Sequence, residues 1–172
     1  MGPGYREIVD AARAALADGP VLVSVQVEHK PDECPNLDHL GTYSNEPGPA
    51  DRTVDRGERG PREYRYFIAA NSSEETGNSD SVQQDYWRME AYNNQQWYMM
   101  GVYAVAEVRT PTPQGGYSST QHIRTPGLWG IESDSGTDYI KEVGQEQLDD
   151  LREHLGHFGV DLGNWDALTV KA

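Results

Sequence analysis

The chain has 172 residues, 36% of them apolar, and its 28 Asp and Glu against 14 Lys and Arg give a formal net charge of −14. A chain of this length can bury roughly 70% of its unfolded surface, so residues 1–172 are expected to form a single domain. Cys34 is the only cysteine, which excludes an intrachain disulfide and an all-cysteine zinc site, and the acidic balance argues against nonspecific binding to DNA or anionic membranes.

The N-terminal part of the chain predicts a helix followed by a strand. Residues 5–17 place apolar side chains at helical spacing, and Asp18-Gly19-Pro20 ends that pattern. From Val21 to Glu28, apolar and polar side chains alternate, which is typical of a strand with one buried face. The segment lacks the apolar region of a signal peptide, and no stretch has the roughly 20 apolar residues of a membrane span. We therefore expect a cytoplasmic protein with no membrane partner.

The middle of the chain predicts a long loop, a strand and a helix. Residues 31–61 are rich in Pro, Gly, Asn and Asp, and we interpret them as a long ordered excursion, since structureless loops of this length are uncommon inside a domain. A strand is predicted over residues 62–69, where Tyr64, Tyr66 and Ile68 alternate with Phe67. A helix should follow, capped within residues 79–81 and ending near Asn93.

The longest predicted strand is Trp97–Arg109, and its apolar residues cover both faces, as in a central strand of an antiparallel sheet. A hairpin-type connection leads back through residues 122–131, where Pro126-Gly127 should kink or bulge the strand. Ser135 with Asp138 fits a capping box that opens a helix, and Gly144 should interrupt its register before it ends at Gly159. Residues 161–172 should be a short tail. The fold class predicted is α+β, with an antiparallel sheet of about four strands and two or three packed helices.

Three carboxylates near the start of the last helix form the first candidate site. Glu132 and Asp134 lie at i and i+2 at a strand end, and Asp138 follows at the helix start, so their oxygens could bind Mg²⁺ or Ca²⁺. The alternative is structural, with Ser133, Asp134 or Ser135 capping the helix and the acids complementing its dipole. A contact with a partner is a third possibility. No other cofactor is predicted.

Two further patterns carry weaker signals for chemistry. Glu28-His29-Lys30 matches the E-x-K half of a metal-dependent nuclease site, but an upstream aspartate on an adjoining strand is missing. Asp150, His154 and His157 lie at i, i+4 and i+7 on the last helix and could approach one metal ion, although a solvated helix flank is the more ordinary interpretation.

A resemblance is carried by four segments of the chain. These are the motif Gly127-Leu128-Trp129-Gly130-Ile131-Glu132-Ser133-Asp134-Ser135 and the segments 37–41, 62–67 and 85–93. With them the chain resembles a group of small uncharacterised proteins carried by bacteriophages, plasmids and other mobile elements. The resemblance implies an accessory role in the cytoplasm of a bacterial host cell and brings no catalytic assignment.

The distribution of charge favours binding over catalysis. Residues 127–172 hold 10 acidic and 3 basic residues, so the last quarter of the chain carries −7 of the net charge. We predict stoichiometric binding to a host protein with a basic surface, such as inhibition of a nucleic-acid-handling or defence factor, without direct contact to nucleic acid. The predicted contact residues are Glu146, Asp149, Asp150, Glu153 and Trp129. The alternative is a small metal-dependent hydrolase or nuclease that uses the Glu/Asp cluster, and its acids would have to meet in a concave pocket.

Overall fold

The computed structural model describes residues 4–7, 9–10, 19–57, 63–71, 79–112 and 116–169. Their elements, in chain order, are β1 Val21–Pro31, β2 Gly41–Ser44, β3 Thr53–Asp55, β4 Tyr66–Ala69, α1 Ser79–Asn93, β5 Met99–Arg109, β6 Gln121–Arg124, β7 Leu128–Glu132, α2 Thr137–His157 and α3 Trp165–Thr169. The helix predicted over residues 5–17 is seen at residues 5–7 and 9–10, and its other residues lie outside the described ranges.

The chain divides into two compact units. The first unit consists of Met1–Pro31 and Met100–Ala172, and the second unit of Asp32–Met99. The first unit is therefore built from two separate stretches of the chain, and the second unit is continuous.

A four-stranded antiparallel sheet organises the first unit. β5 pairs with β1 from Val21↔Arg109 to Pro31↔Met100, and β6 and β7 both pair with β5. β5 is thus the central strand, which confirms its predicted place. Eight of its eleven residues are buried and two more are half-buried, so both faces of the strand are covered, as expected in the centre of a sheet.

The core of the first unit lies between one face of this sheet and helices α2 and α3. Alternate residues of β5 reach this face, and the small side chains of Ala104 and Ala106 leave room for the leucines of α2. The buried residues of this core are Leu22, Val25, Ala104, Ala106, Val108, Leu148, Leu151, Leu155, Val160 and Trp165. A second, smaller cluster of buried residues also joins the sheet to α2 and consists of Met100, Val102, Ile131 and Val143. Burial of each leucine stabilises the fold by about 1.5–3 kcal/mol.

Gly144 does not interrupt helix α2, which is continuous from Thr137 to His157. The predicted interruption of its register was wrong, because buried residues continue at helical spacing from Val143 through Gln147 to Leu151 and Leu155. A Cβ placed on Gly144 would lie 3.3 Å from Cγ1 of Val27, so the glycine sits where the helix approaches strand β1 closely. The absence of a side chain at Gly144 thus allows the helix to contact the sheet.

The C-terminal segment is attached to the sheet edge by Trp165. This side chain is buried in the core of the first unit, Asn164 Nδ2 donates a hydrogen bond of 3.1 Å to the carbonyl of Leu22, and Asp161 N–H donates one to Pro20. The tail predicted over residues 161–172 therefore contains a short helix as far as Thr169.

A three-stranded antiparallel sheet, in the order β2-β4-β3, forms the second unit together with α1. Phe67 of β4 is completely buried at its centre. The other buried residues of this core are Leu40, Ala69, Val82, Met89, Trp97 and Met99. Two of the three strands, β2 and β3, come from the excursion predicted over residues 31–61, and the strand predicted over residues 62–69 is β4.

The α+β class and the four-stranded antiparallel sheet are confirmed, and the second sheet is an addition that the sequence did not predict. The single domain predicted for residues 1–172 stays a prediction. Within the described part of the chain, no helix combines the length and the apolar character that crossing a membrane requires.

Candidate ligand-binding groove

A groove with a volume of about 650 Å³ lies in the first unit, where strand β6 gives way to β7. Its lining comes from both strands, from β1 and β5, and from the C-terminal turn of α2. The residues that line it are Lys30, Tyr103, Ile123, Arg124, Thr125, Pro126, Trp129, His154, His157 and Phe158. Its volume falls within the range of roughly 300–1,000 Å³ that is usual for small-molecule sites.

The groove exists because the edge strand is broken at Thr125-Pro126-Gly127. Pro126 lacks the N–H that a continuous ladder would use, and Gly127 has φ 81°, a conformation that favours glycine. A Cβ on Gly127 would lie 2.9 Å from Cβ of Tyr103, so the backbone comes close to β5 at this point. The kink predicted from Pro126-Gly127 is confirmed, and it separates β6 from β7.

Thr125 anchors the broken segment to the sheet and the helix. Its N–H donates to the carbonyl of Ala104 at 3.0 Å, and its Oγ1 accepts a hydrogen bond of 3.1 Å from Ala104 N–H. The hydroxyl in turn donates to Oε1 of Gln147 on α2 at 2.7 Å. Both side chains are buried, so this network holds the floor of the groove in one arrangement.

Trp129 forms an aromatic wall of the groove. Its ring lies against the backbone of Gly101, where a Cβ would approach Cδ2 of Trp129 to 2.5 Å, and its Nε1 donates a hydrogen bond of 3.1 Å to the carbonyl of Pro126. The side chain nevertheless remains 44% exposed. The indole is therefore held in place from one side while its other surface is open to a ligand or partner.

Tyr103 is oriented by Glu28 on the neighbouring strand. The tyrosine hydroxyl donates a hydrogen bond of 2.6 Å to Oε2 of Glu28, and Gln26 Nε2 donates to Oε1 of the same carboxylate at 2.7 Å. The hydrogen bond to Glu28, then burial and the charge of Glu28, raise the pKa of Tyr103, against a smaller opposing effect of Arg124. Tyr103 consequently stays a neutral donor at physiological pH.

The lining of the groove differs in charge from the protein as a whole. Lys30 and Arg124 contribute positive charges, and His154 and His157 contribute ring nitrogens that can form hydrogen bonds. None of the described residues that line the groove is acidic, although the chain carries a net charge of −14. Glu28 contacts the lining through its hydrogen bond with Tyr103. The groove is thus a locally cationic and aromatic site on an acidic protein.

The last turn of α2 supplies the other wall. His154 and His157 are exposed and lie in this turn, and Phe158, the C-cap residue, is 66% exposed. The sequence placed Asp150, His154 and His157 on one flank of the helix. The structure brings the two histidines into the groove lining and leaves Asp150 outside it.

The predicted acidic cluster lies elsewhere in the first unit. Glu132 ends β7 and is half-buried, whereas Asp134 and Asp138 are exposed. None of the three lines the groove. Among the described residues, no group of three or more His, Cys, Asp or Glu side chains is arranged to hold a metal ion.

The predicted serine cap of α2 was wrong. The N-cap residue is Gly136, with φ 98° and ψ 140°, and no side chain caps it. The turn before the helix is closed by the backbone instead, because Ser135 N–H donates to the carbonyl of Glu132 at 3.0 Å. Asp138 lies in the first turn, where its charge complements the helix dipole as expected.

The residues predicted to bind a partner fall into two places. Glu146, Asp149, Asp150 and Glu153 are all exposed along α2. Trp129 lines the groove together with the histidines of the same helix. Sequence reasoning did not connect Lys30, Tyr103 and Arg124 with Trp129, and the only signal for this was the aromatic motif ending in a kinked strand.

Comparison of the chain with protein-family models, with curated proteins and with solved structures gives no match.

Proposed function

We propose that this protein is a mobile-element accessory protein that acts by stoichiometric binding to a host protein with a basic surface. Inhibition of a nucleic-acid-handling or defence factor is the role we favour. The observation that carries the proposal is the row of exposed carboxylates along α2, formed by Asp138, Glu142, Glu146, Asp149, Asp150 and Glu153. The phage and plasmid origin rests on the resemblance carried by the Gly127–Ser135 motif and the segments 37–41, 62–67 and 85–93.

The form of the acidic row suits an encounter with a macromolecule. Its carboxylates are spread along a helix of 21 residues, which is about 30 Å long, and they face solvent. Charges arranged in this way accelerate association with an oppositely charged surface, and salt weakens the effect. The apolar side of the same helix is occupied by the core, so the acidic side is the one available for binding.

Exposed aromatic residues add a source of affinity in the same unit. Trp129 and Phe158 are 44% and 66% exposed, and Trp is among the residues enriched at interface hot spots. Acidic residues would thus govern the rate of association, and aromatic residues the lifetime of the complex.

The test begins with affinity purification of the tagged chain from a bacterial host, followed by mass spectrometry. Each protein recovered is then purified, and its binding is measured by calorimetry and by stopped-flow kinetics at several salt concentrations. We expect one basic partner, a stoichiometry of one to one, and an association rate that falls as salt shortens the Debye length from about 10 Å at 0.1 M.

A matched pair of charge-reversed variants decides whether the acidic row is responsible. The test variant carries lysine at Glu146, Asp149, Asp150 and Glu153. The control variant carries lysine at Asp10, Asp38, Glu46 and Glu63, which are exposed and change the net charge equally. Loss of the partner with the first variant alone supports the proposal. Equal loss with both, or turnover of nucleotides or nucleic acid by the purified chain with Mg²⁺ or Ca²⁺, contradicts it.

A further inference from the structure

We propose that the groove between β6, β7 and the end of α2 binds a nucleoside monophosphate, a function separate from the contact made by the acidic row. The groove combines two features that such a ligand needs. Exposed aromatic rings offer flat apolar surfaces for a base, and Lys30 and Arg124 offer positive charge for a phosphate.

The aromatic side of the groove is prepared for stacking. The ring of Trp129 is fixed by its contact with Gly101 and its hydrogen bond to Pro126, so little side-chain freedom is lost when a base lies on it. Phe158 and the apolar side chains of Ile123 and Pro126 enlarge the apolar surface. Every base has a π face, so this contact sets the class of ligand and leaves the choice among bases to polar groups.

The polar side of the groove supplies donors for an anion. The guanidinium group of Arg124 matches phosphate oxygens in a two-pronged hydrogen bond, and Lys30 adds a point charge. The described lining contains no carboxylate that would repel the phosphate. Tyr103 and the two histidines offer further polar groups for a ribose or a base edge, and Glu28 keeps the tyrosine ring in place.

The charge of the whole chain favours a mononucleotide over a nucleic-acid strand. A strand that follows the groove would carry one further negative charge with each nucleotide and would meet the field of a protein with net charge −14. A single phosphate interacts mainly with the cations in contact with it, because charges beyond about 10 Å are screened at 0.1 M salt. The groove volume of about 650 Å³ also suits one nucleotide.

The test is calorimetric titration of the full chain with AMP and GMP, with adenosine and inorganic phosphate as partial ligands. We expect saturable binding at one site, with each partial ligand binding at least tenfold more weakly than the nucleotide that contains it. Chemical-shift mapping by NMR should place the change on the indole N–H of Trp129 and on the ring protons of His154 and His157.

Substitutions in the groove test which residues contact the base and which contact the phosphate. Trp129→Ala should weaken AMP binding at least fivefold, the lower end of what a base–aromatic stack contributes, and Trp87→Ala, on an exposed tryptophan of the second unit, should not. Lys30→Gln with Arg124→Gln should weaken AMP binding but leave adenosine binding unchanged. Arg109→Gln with Lys141→Gln is the charge-matched control outside the groove. Should Trp129→Ala fail to fold, Gly101→Ala displaces the same ring without removing it.

Several outcomes would overturn the assignment. These are the absence of saturation at millimolar nucleotide, unchanged affinity in the Trp129 and Gly101 variants, or equal binding of adenosine and AMP. If a single-stranded oligonucleotide binds more tightly than AMP and GMP, with a steep salt dependence, the ligand of the groove is a nucleic-acid strand and the proposal is wrong. The charge-reversed α2 variant keeps the whole lining, so loss of partner binding in that variant does not bear on nucleotide binding.

Discussion

Thr125 hydrogen-bonds to strand β5 at the point where the edge strand breaks. Its backbone and hydroxyl together bond both the carbonyl and the N–H of Ala104, and its hydroxyl also reaches Gln147. Valine has nearly the same shape but neither donates nor accepts. At this buried position the shape of the side chain matters less than the partners that it leaves unsatisfied.

We therefore expect Thr125→Val to lower the free energy of unfolding by about 1–3 kcal/mol for each buried polar group left without a partner. Urea denaturation followed by circular dichroism measures the change, and Thr125→Ser, which keeps the hydroxyl, is the control. Adding Gln147→Leu to Thr125→Val should restore part of the loss, because the unsatisfied amide oxygen is then removed as well. Simple additivity of the two substitutions would contradict the network.

Helix α2 depends at its start on a backbone conformation. Gly136 has φ 98° and ψ 140°, in a region that residues with a Cβ adopt only under strain, and space for a Cβ is not the obstacle there. We expect Gly136→Ala to destabilise the protein by about 1–3 kcal/mol. Ser135→Ala, next to it, should change the free energy of unfolding by less than about 0.5 kcal/mol. Thermal denaturation of both variants measures these changes. A larger loss of stability in Ser135→Ala than in Gly136→Ala would indicate a serine cap instead.

Long elements with a regular pattern of apolar residues could be predicted from the sequence, and short ones could not. β1, β5 and α2 were predictable because alternation or helical spacing continues over many residues. β2 and β3, of four and three residues, lie among Pro and Gly and owe their pairing to β4, so no local pattern marks them. The role of Gly144 also escaped prediction, because the strand that it faces is more than 100 positions away in the sequence.

The candidate site was predictable only in parts, for the same reason. Trp129 and the two histidines were identified individually from a motif and a helical spacing. The meeting of Trp129 with Lys30 and Tyr103 depends on which residues of neighbouring strands share a sheet face, whereas the histidines come from α2, which packs against Ala104 and Ala106. That information lies in the register of β1 against β5, and the sequence predicts the strands without their register.

The two units of the chain suggest that the first unit carries its own folding information. Its core clusters contain only residues of Met1–Pro31 and Met100–Ala172. Pro31 and Met100 are Cα partners in the β1–β5 ladder, so the ends left by removing Asp32–Met99 already lie side by side. A tight turn could connect them, since antiparallel strands are commonly joined by two residues such as Asn-Gly.

We expect a chain in which Asn-Gly replaces residues 32–99 to fold with the sheet and helices of the first unit. The shortened chain has roughly 100 residues, enough for an independent hydrophobic core. Far-ultraviolet circular dichroism and a cooperative thermal transition would report folding, and NMR contacts between β1 and β5 would report the register. A version with the same turn and Leu151→Asp, which introduces a charge into the core, is the unfolded control. A shortened chain that resembles this control would show that the core of the first unit needs Asp32–Met99 in order to form.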